Sequence, residues 1–119
     1  MTDLAPHTRG DTFEYTFTLG NGWVGADFTG GVRFTLRKYV PDSGVVTDAD
    51  AVDQASVATG EITFAGAEGT IVIPASRTTT WPVRPLVWDI QGIINGSPNV
   101  VYTIDDGAIV IDGDVTRSA

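Results

Sequence analysis

The sequence predicts an all-β protein, an antiparallel β-sandwich of seven to eight short strands, from three observations. Its longest patterned stretches alternate apolar and polar residues with a period of two. Glycine, asparagine, aspartate and proline break the chain at short intervals, and no ten-residue window carries apolar residues at helical spacing with capping residues at its ends.

The elements follow in order. Phe13, Tyr15, Phe17 and Leu19 alternate with Thr or Glu over 12–19, the pattern of a half-buried strand. Gly20-Asn21-Gly22 is a turn, and 32–39 repeats the alternation, with Val32, Phe34 and Leu36 on one face and Arg33, Thr35 and Arg37 on the other. From Val40 to Gln54 the chain is polar and acidic, containing Pro41, Asp42, Gly44, Asp48, Asp50 and Asp53, and reads as a long exposed loop. Short strands are expected at 56–58, 61–64 and 70–74, the last ended by Pro74, which cannot donate to a ladder. Ser76–Thr80 has room for one helical turn. Residues 86–94 and 100–104 form a hairpin about Asn95-Gly96, lengthened by Ser97-Pro98, because Asn-Gly readily takes the positive φ angles of a tight turn. A last strand over 108–112 is set off by Asp105-Asp106-Gly107, read as turn chemistry in which aspartate side chains bond nearby backbone amides. This count and spacing match an immunoglobulin-like sandwich, with Trp88 as a core residue and no disulfide beside it.

A chain of 119 residues, 42% hydrophobic and 18% charged, has the length of one domain. We read a single unit over 1–119, with 1–8 as an N-terminal arm and 40–54 as the long acidic loop. With 15 acidic and 7 basic residues the net charge is −8, the wrong sign for binding nucleic acid or anionic lipid by counterion release. No cysteine is present, so stability rests on packing and hydrogen bonds. The first residues have neither a basic region nor an apolar one, which leads us to expect a product made and left in the cytosol unless it is carried elsewhere as part of something larger.

Catalytic constellations find little material. The single histidine, His7, falls in a segment expected to be loosely ordered and solvated, which does not suit a triad base. The acidic residues fall in predicted turns rather than as a pair across a cleft. Asp48, Asp50 and Asp53 lie close enough to suggest calcium, but the EF-hand glycine and bidentate glutamate are missing, and a solvated loop is the expected reading. Arg9-Gly10-Asp11 spells an integrin-read tripeptide, yet it leads directly into the first strand and is expected to shape that entry. No glycine-rich phosphate loop opens a helix, and no cofactor is expected.

Four residues stand out as candidates for contact with a partner. Trp23 and Trp81 neighbour turn signals and are either lids over an end of the sandwich or interface anchors. Arg33 and Arg37 share one strand face and either complement an acidic partner or stay solvated. The strands at 70–74 and 108–111 are flat and apolar, and at least one is expected to have its edge covered by a partner subunit.

A set of motifs spread along the chain adds a resemblance. Arg9-Gly10-Asp11-Thr12 is followed by Asp27-Phe28-Thr29-Gly30 leading into Val32-Arg33-Phe34-Thr35-Leu36-Arg37. Then come Trp88-Asp89-Ile90-Gln91, Thr103 with Gly107, and Asp114-Val115-Thr116-Arg117. In this order they resemble the small immunoglobulin-like domains of tailed-bacteriophage structural proteins, in particular the N-terminal domain of upper baseplate proteins. Phe28 stands where that group usually has Leu and Trp88 where it usually has Tyr, and both changes keep an apolar residue. The resemblance implies a non-enzymatic virion component in multiple copies, whose partners are other phage structural proteins, placed in the tail, baseplate or fibre. Capsid decoration and a carbohydrate-binding module for host attachment, with Trp23 or Trp81 stacking on sugar, are the competing expectations.

Overall fold

The computed structural model describes residues 2–38 and 51–113. The chain forms β1 (His7–Thr8), β2 (Phe13–Thr18), a 3₁₀ turn over Gly25–Asp27, β3 (Gly31–Lys38), β4 (Ala51–Ser56), β5 (Ile62–Ala65), β6 (Glu68–Ile73), a one-turn helix α1 (Ala75–Thr78), β7 (Pro85–Ile94) and β8 (Val100–Asp112). These strands build two sheets, one in the order β1-β8-β7-β3-β4 and one in the order β2-β6-β5. All pairs are antiparallel except β1 with β8, which run parallel. The protein is an all-β sandwich.

Alternation decides which face of each strand meets the other sheet. In the smaller sheet Phe13 lies opposite Ile73, Phe17 opposite Gly69 and Ile62 opposite Ile71. In the larger sheet Phe34 lies opposite Ile90 and Leu36 opposite Trp88. All of these side chains that are apolar and larger than glycine are buried, and they form one contiguous core. Aromatic rings tie the layers: Phe13 stacks on Phe34 with centroids 5.7 Å apart, and Tyr15 meets Trp88 edge-on at 5.4 Å. Gly92, on the inward face of β7, carries the ring of Phe28, and a Cβ there would fall 2.5 Å from that ring.

Several expectations need correction. Residues 51–54 belong to β4 rather than to a loop, and 57–58 lie beyond its end. Only Ala55 of that strand is buried, so β4 carries almost no apolar signal; pairing with β3 creates it. The remainder of the expected loop, up to residue 50, lies outside the described residues. Asp105-Asp106-Gly107 is not a turn, because β8 runs unbroken through it. Between the pairs Ile90 with Asp105 and Gln91 with Thr103, Ile104 is an extra residue, a β-bulge that puts Asp105 on the inward face.

The N-terminal arm is docked rather than loose. The Thr2 and Leu4 amides donate to the carbonyls of Asp106 (2.6 Å) and Ala108 (2.9 Å), and β1 continues the pairing to Asp112. The outer edge of 108–111 is therefore covered by the chain itself, while 70–73 lies between β2 and β5. Neither of the two apolar strands offers the open edge that a partner subunit was expected to cover.

The arm comes so close at Gly107 that a Cβ there would sit 1.6 Å from the Thr2 carbonyl oxygen. Gly107→Ala is expected to push the arm off β8 while leaving the core paired. Hydrogen exchange should show the Thr2 and Leu4 amides losing protection and the β2–β6 amides keeping theirs; retained protection at Thr2 would show that the close approach is not limiting.

Candidate interaction surface

The four candidate residues separate into very different surroundings. Trp81 is 1% exposed, the largest of the fully buried side chains, and packs edge-on against Phe13 with centroids 5.6 Å apart. It plugs the end of the sandwich beneath α1 and is not available to a partner or a sugar on the surface. Its indole N–H donates to Asp53 Oδ2 at 3.0 Å. Asp53 lies opposite Leu36, an inward position of the sheet, which is how an acidic residue of an edge strand reaches the core.

The same carboxylate anchors a charged cluster. Arg77, in the last turn of α1, donates through Nη2 to Asp53 Oδ1 (2.5 Å) and to the Gln54 carbonyl (2.6 Å), and through Nη1 to Glu61 Oε2 (3.1 Å). One guanidinium thus joins β4 of the larger sheet to the start of β5 in the smaller one. Glu61 also accepts from the Thr59 hydroxyl and the Ser56 amide. The Thr59 bond is the main reason its carboxyl is held below the ordinary glutamate value, with the Ser56 amide and the Arg77 charge adding to it against the opposing effect of burial. A lowered carboxyl that holds an arginine is a structural fastening rather than a proton donor poised near neutrality. Asp53 is engaged in this cluster, while Asp48 and Asp50, its expected calcium companions, lie outside the described residues.

At the opposite end of the sandwich, Trp23 is half-buried and leans over the core. It meets Phe28 at 5.1 Å and Tyr102 at 4.7 Å between centroids, both edge-on. This is the lid alternative for Trp23. Beside it Val24 (40%), Val100 (44%), Val101 (52%) and Tyr102 (39%) remain exposed. Along the outer side of β8 the docked arm begins at Asp106, so 100–105 has no strand against it among the described residues. Sequence reading missed this stretch as a surface because hydrophobic Val100, Val101 and Tyr102 looked like an ordinary core strand.

The two arginines also part. Arg37 lies 3.2 Å from Asp89, a diagonal neighbour on β7, and its side chain is only 16% exposed. It is therefore engaged within the chain and is not a free cation for a partner. Arg33 is exposed and has no hydrogen-bond or ion-pair partner among the described residues. It stands between Ser56 of β4 and Gln91 of β7 and borders a cavity of about 370 Å³.

His7 is partly buried, packing on Phe13 and Trp81 at 5.4 and 5.6 Å, and its Nε2–H donates to the Asp11 carbonyl at 3.0 Å. This corrects the expectation of a solvated histidine. The Arg9-Gly10-Asp11 turn is clamped to α1 by the fully buried Thr78, whose hydroxyl accepts from the Gly10 amide (3.0 Å) and donates to the Asp11 carbonyl (2.8 Å). On the far side of the sandwich Asp105 accepts from the Tyr15 hydroxyl (3.0 Å) and the Thr2 hydroxyl (3.0 Å). Burial, then the hydrogen bond to Asp105 and its charge, push the Tyr15 phenol up to about 12. The Trp88 indole N–H is buried with no hydrogen-bond partner among the described residues, a local cost of about 1–3 kcal/mol set against its ring packing.

No family model matches the chain, and no curated protein matches it.

Two predictions come from these polar contacts. Removing the Arg77 fork strands two carboxylates at once, so Arg77→Gln is expected to destabilise the fold by about 1–3 kcal/mol in chemical denaturation, the lower part of that range reflecting partial solvent access. Arg77→Lys should recover little of the loss, because a point charge cannot serve three acceptors in the fork's geometry; equal stability of the Lys variant and the parent would show that charge alone suffices. For Tyr15 the folded phenol binds its proton more tightly than the unfolded one. Its contribution is therefore complete below pH 10 and is lost as pH rises from 10 to about 12. Absorbance titration should show a late tyrosinate step that Tyr15→Phe removes and Asp105→Asn moves to lower pH.

Proposed function

We propose that this chain is a non-enzymatic structural component of a tailed-phage virion, an assembly or attachment module of the tail, baseplate or fibre complex present in multiple copies. The observation that carries the reading is the exposed strand stretch at 100–105. There, Val100, Val101 and Tyr102 are exposed beside a strand edge with no partner strand among the described residues, although the same strand from Asp106 onward is covered by the chain's own arm. Unpaired edges invite another strand, and folded domains usually blunt them. This domain blunts one half of β8 and leaves the apolar Val100, Val101 and Tyr102 of the other half exposed. The all-β sandwich and the order of the sequence motifs from Arg9 to Arg117 support the phage resemblance from which the reading starts.

Capsid decoration uses the same kind of surface and differs only in where copies sit. A carbohydrate-binding module keeps Trp23 as a candidate, but Trp81 lies in the core and cannot stack on sugar there.

Immunogold labelling of purified particles with an antibody to this chain tests the proposal. Label at the tail tip is the expected result, label over the head would replace it with capsid decoration, and particles without label or without the chain by mass spectrometry would end the virion reading.

A further inference from the structure

We propose that the cavity beside Arg33 is a recognition site for a carboxylate side chain, Glu or Asp, presented by a partner polypeptide. The inference rests on reading the chain as an assembly module and names the chemistry of its partner.

The argument begins with charge. In a protein of net charge −8, most described cations are already engaged. Arg77 holds Asp53 and Glu61, Arg37 holds Asp89, and Arg9 and Arg84 also have partners. Arg33 is exposed and has none among the described residues, although it projects from the middle of a sheet rather than from a loop. A strand position flanked on both sides holds a side chain's base in place, which lowers the entropy lost on binding.

Next comes shape. The cavity holds about 370 Å³, within the range of small-ligand sites, and is far larger than a single guanidinium contact needs. Gly30 and Gly31 leave part of its wall as bare backbone, Ala55 and Ala58 keep it shallow in side-chain bulk, and the Gln54 carboxamide, which spends one N–H on the Thr35 hydroxyl at 3.4 Å, keeps a second for a ligand. An arginine fork beside one neutral donor fits the two oxygens of a carboxylate. The carboxylates on the neighbouring strands and turns are engaged elsewhere: Asp89, diagonally across on β7, pairs with Arg37, and Glu61 bonds Thr59, the Ser56 amide and Arg77, so Arg33 has no carboxylate partner among the described residues. The rest of the acidic surface repels acidic partners at long range. Only a carboxylate placed directly at this position gains, so the site selects geometry rather than bulk charge.

The test is an amide-shift titration of the ¹⁵N-labelled full chain with N-acetylglutamate N-methylamide, its glutamine counterpart and glucuronate. Saturable shifts at Gly30, Gly31 and Ser56 with the glutamate compound, absent with the glutamine one, are expected in the millimolar range, and Arg33→Gln should weaken them at least about tenfold. Arg33→Lys should retain an intermediate affinity, which a general folding defect would not produce. No saturation up to about 100 mM, equal response to the glutamine compound, or unchanged binding in Arg33→Gln would overturn the site. Glucuronate binding about tenfold tighter than the glutamate compound would overturn the polypeptide partner in favour of an acidic sugar. Particle labelling with failed titration would remove the carboxylate site alone; titration success with unlabelled particles would remove only the virion reading.

Discussion

Closing the sandwich at its margins is the constraint on which the rest of this structure depends. A three-stranded sheet faces a five-stranded one, and strand side chains point only up or down, so the flanks and ends of the core must be sealed by something other than the regular alternation. The protein does this with inward-facing aspartates and aromatic donors. Asp53 on one flank holds the Trp81 indole and Arg77, and Asp105 on the other holds the Tyr15 and Thr2 hydroxyls. Each satisfies a buried or half-buried donor that would otherwise cost free energy.

The seals also determine which surfaces are left. Arg77, Arg37 and the N-terminal arm consume most of the groups that looked available from outside. What remains among the described residues is asymmetric: the exposed Val100, Val101 and Tyr102 on a stretch without a partner strand near Trp23, and an unpaired Arg33 beside a cavity on the outer face of the larger sheet. An assembly contact that used both would combine non-directional burial with one directional charge pair, the division between affinity and register found in many protein interfaces.

Legibility varied with how local the deciding force was. The strands at 13–18, 31–38 and 85–94 were readable because alternation is written directly into Phe13-Glu14-Tyr15, Val32-Arg33-Phe34 and their continuations. Strand β4 was not, since Ala51-Val52-Asp53-Gln54 has the composition of a loop and becomes a strand only through the bonds β3 offers it. Asp105-Asp106-Gly107 has turn composition, yet it lies in a strand because Ile90, Asp89 and Trp88 pair with it and because Gly107 must accept the Thr2 carbonyl. For the candidate site, Arg33 was legible as a charged outward position, but the engagement of Arg37 required knowing that Asp89 lies diagonally across from it.

By itself the sequence determined the all-β class, the absence of any disulfide, the acidic surface and the inward set led by Phe13, Phe34, Trp88 and Ile90, because period-two alternation and composition act within a few residues of where they are written. Tertiary structure alone decided that Trp81 is core and that Trp23 packs on Phe28 and Tyr102, that the arm covers part of its own strand edge, and that Arg37 is paired while Arg33 has no ion-pair partner among the described residues. Those outcomes turn on contacts between residues far apart in the chain, such as Thr2 with Asp105 and Trp81 with Asp53, and no local pattern carries the register that brings them together.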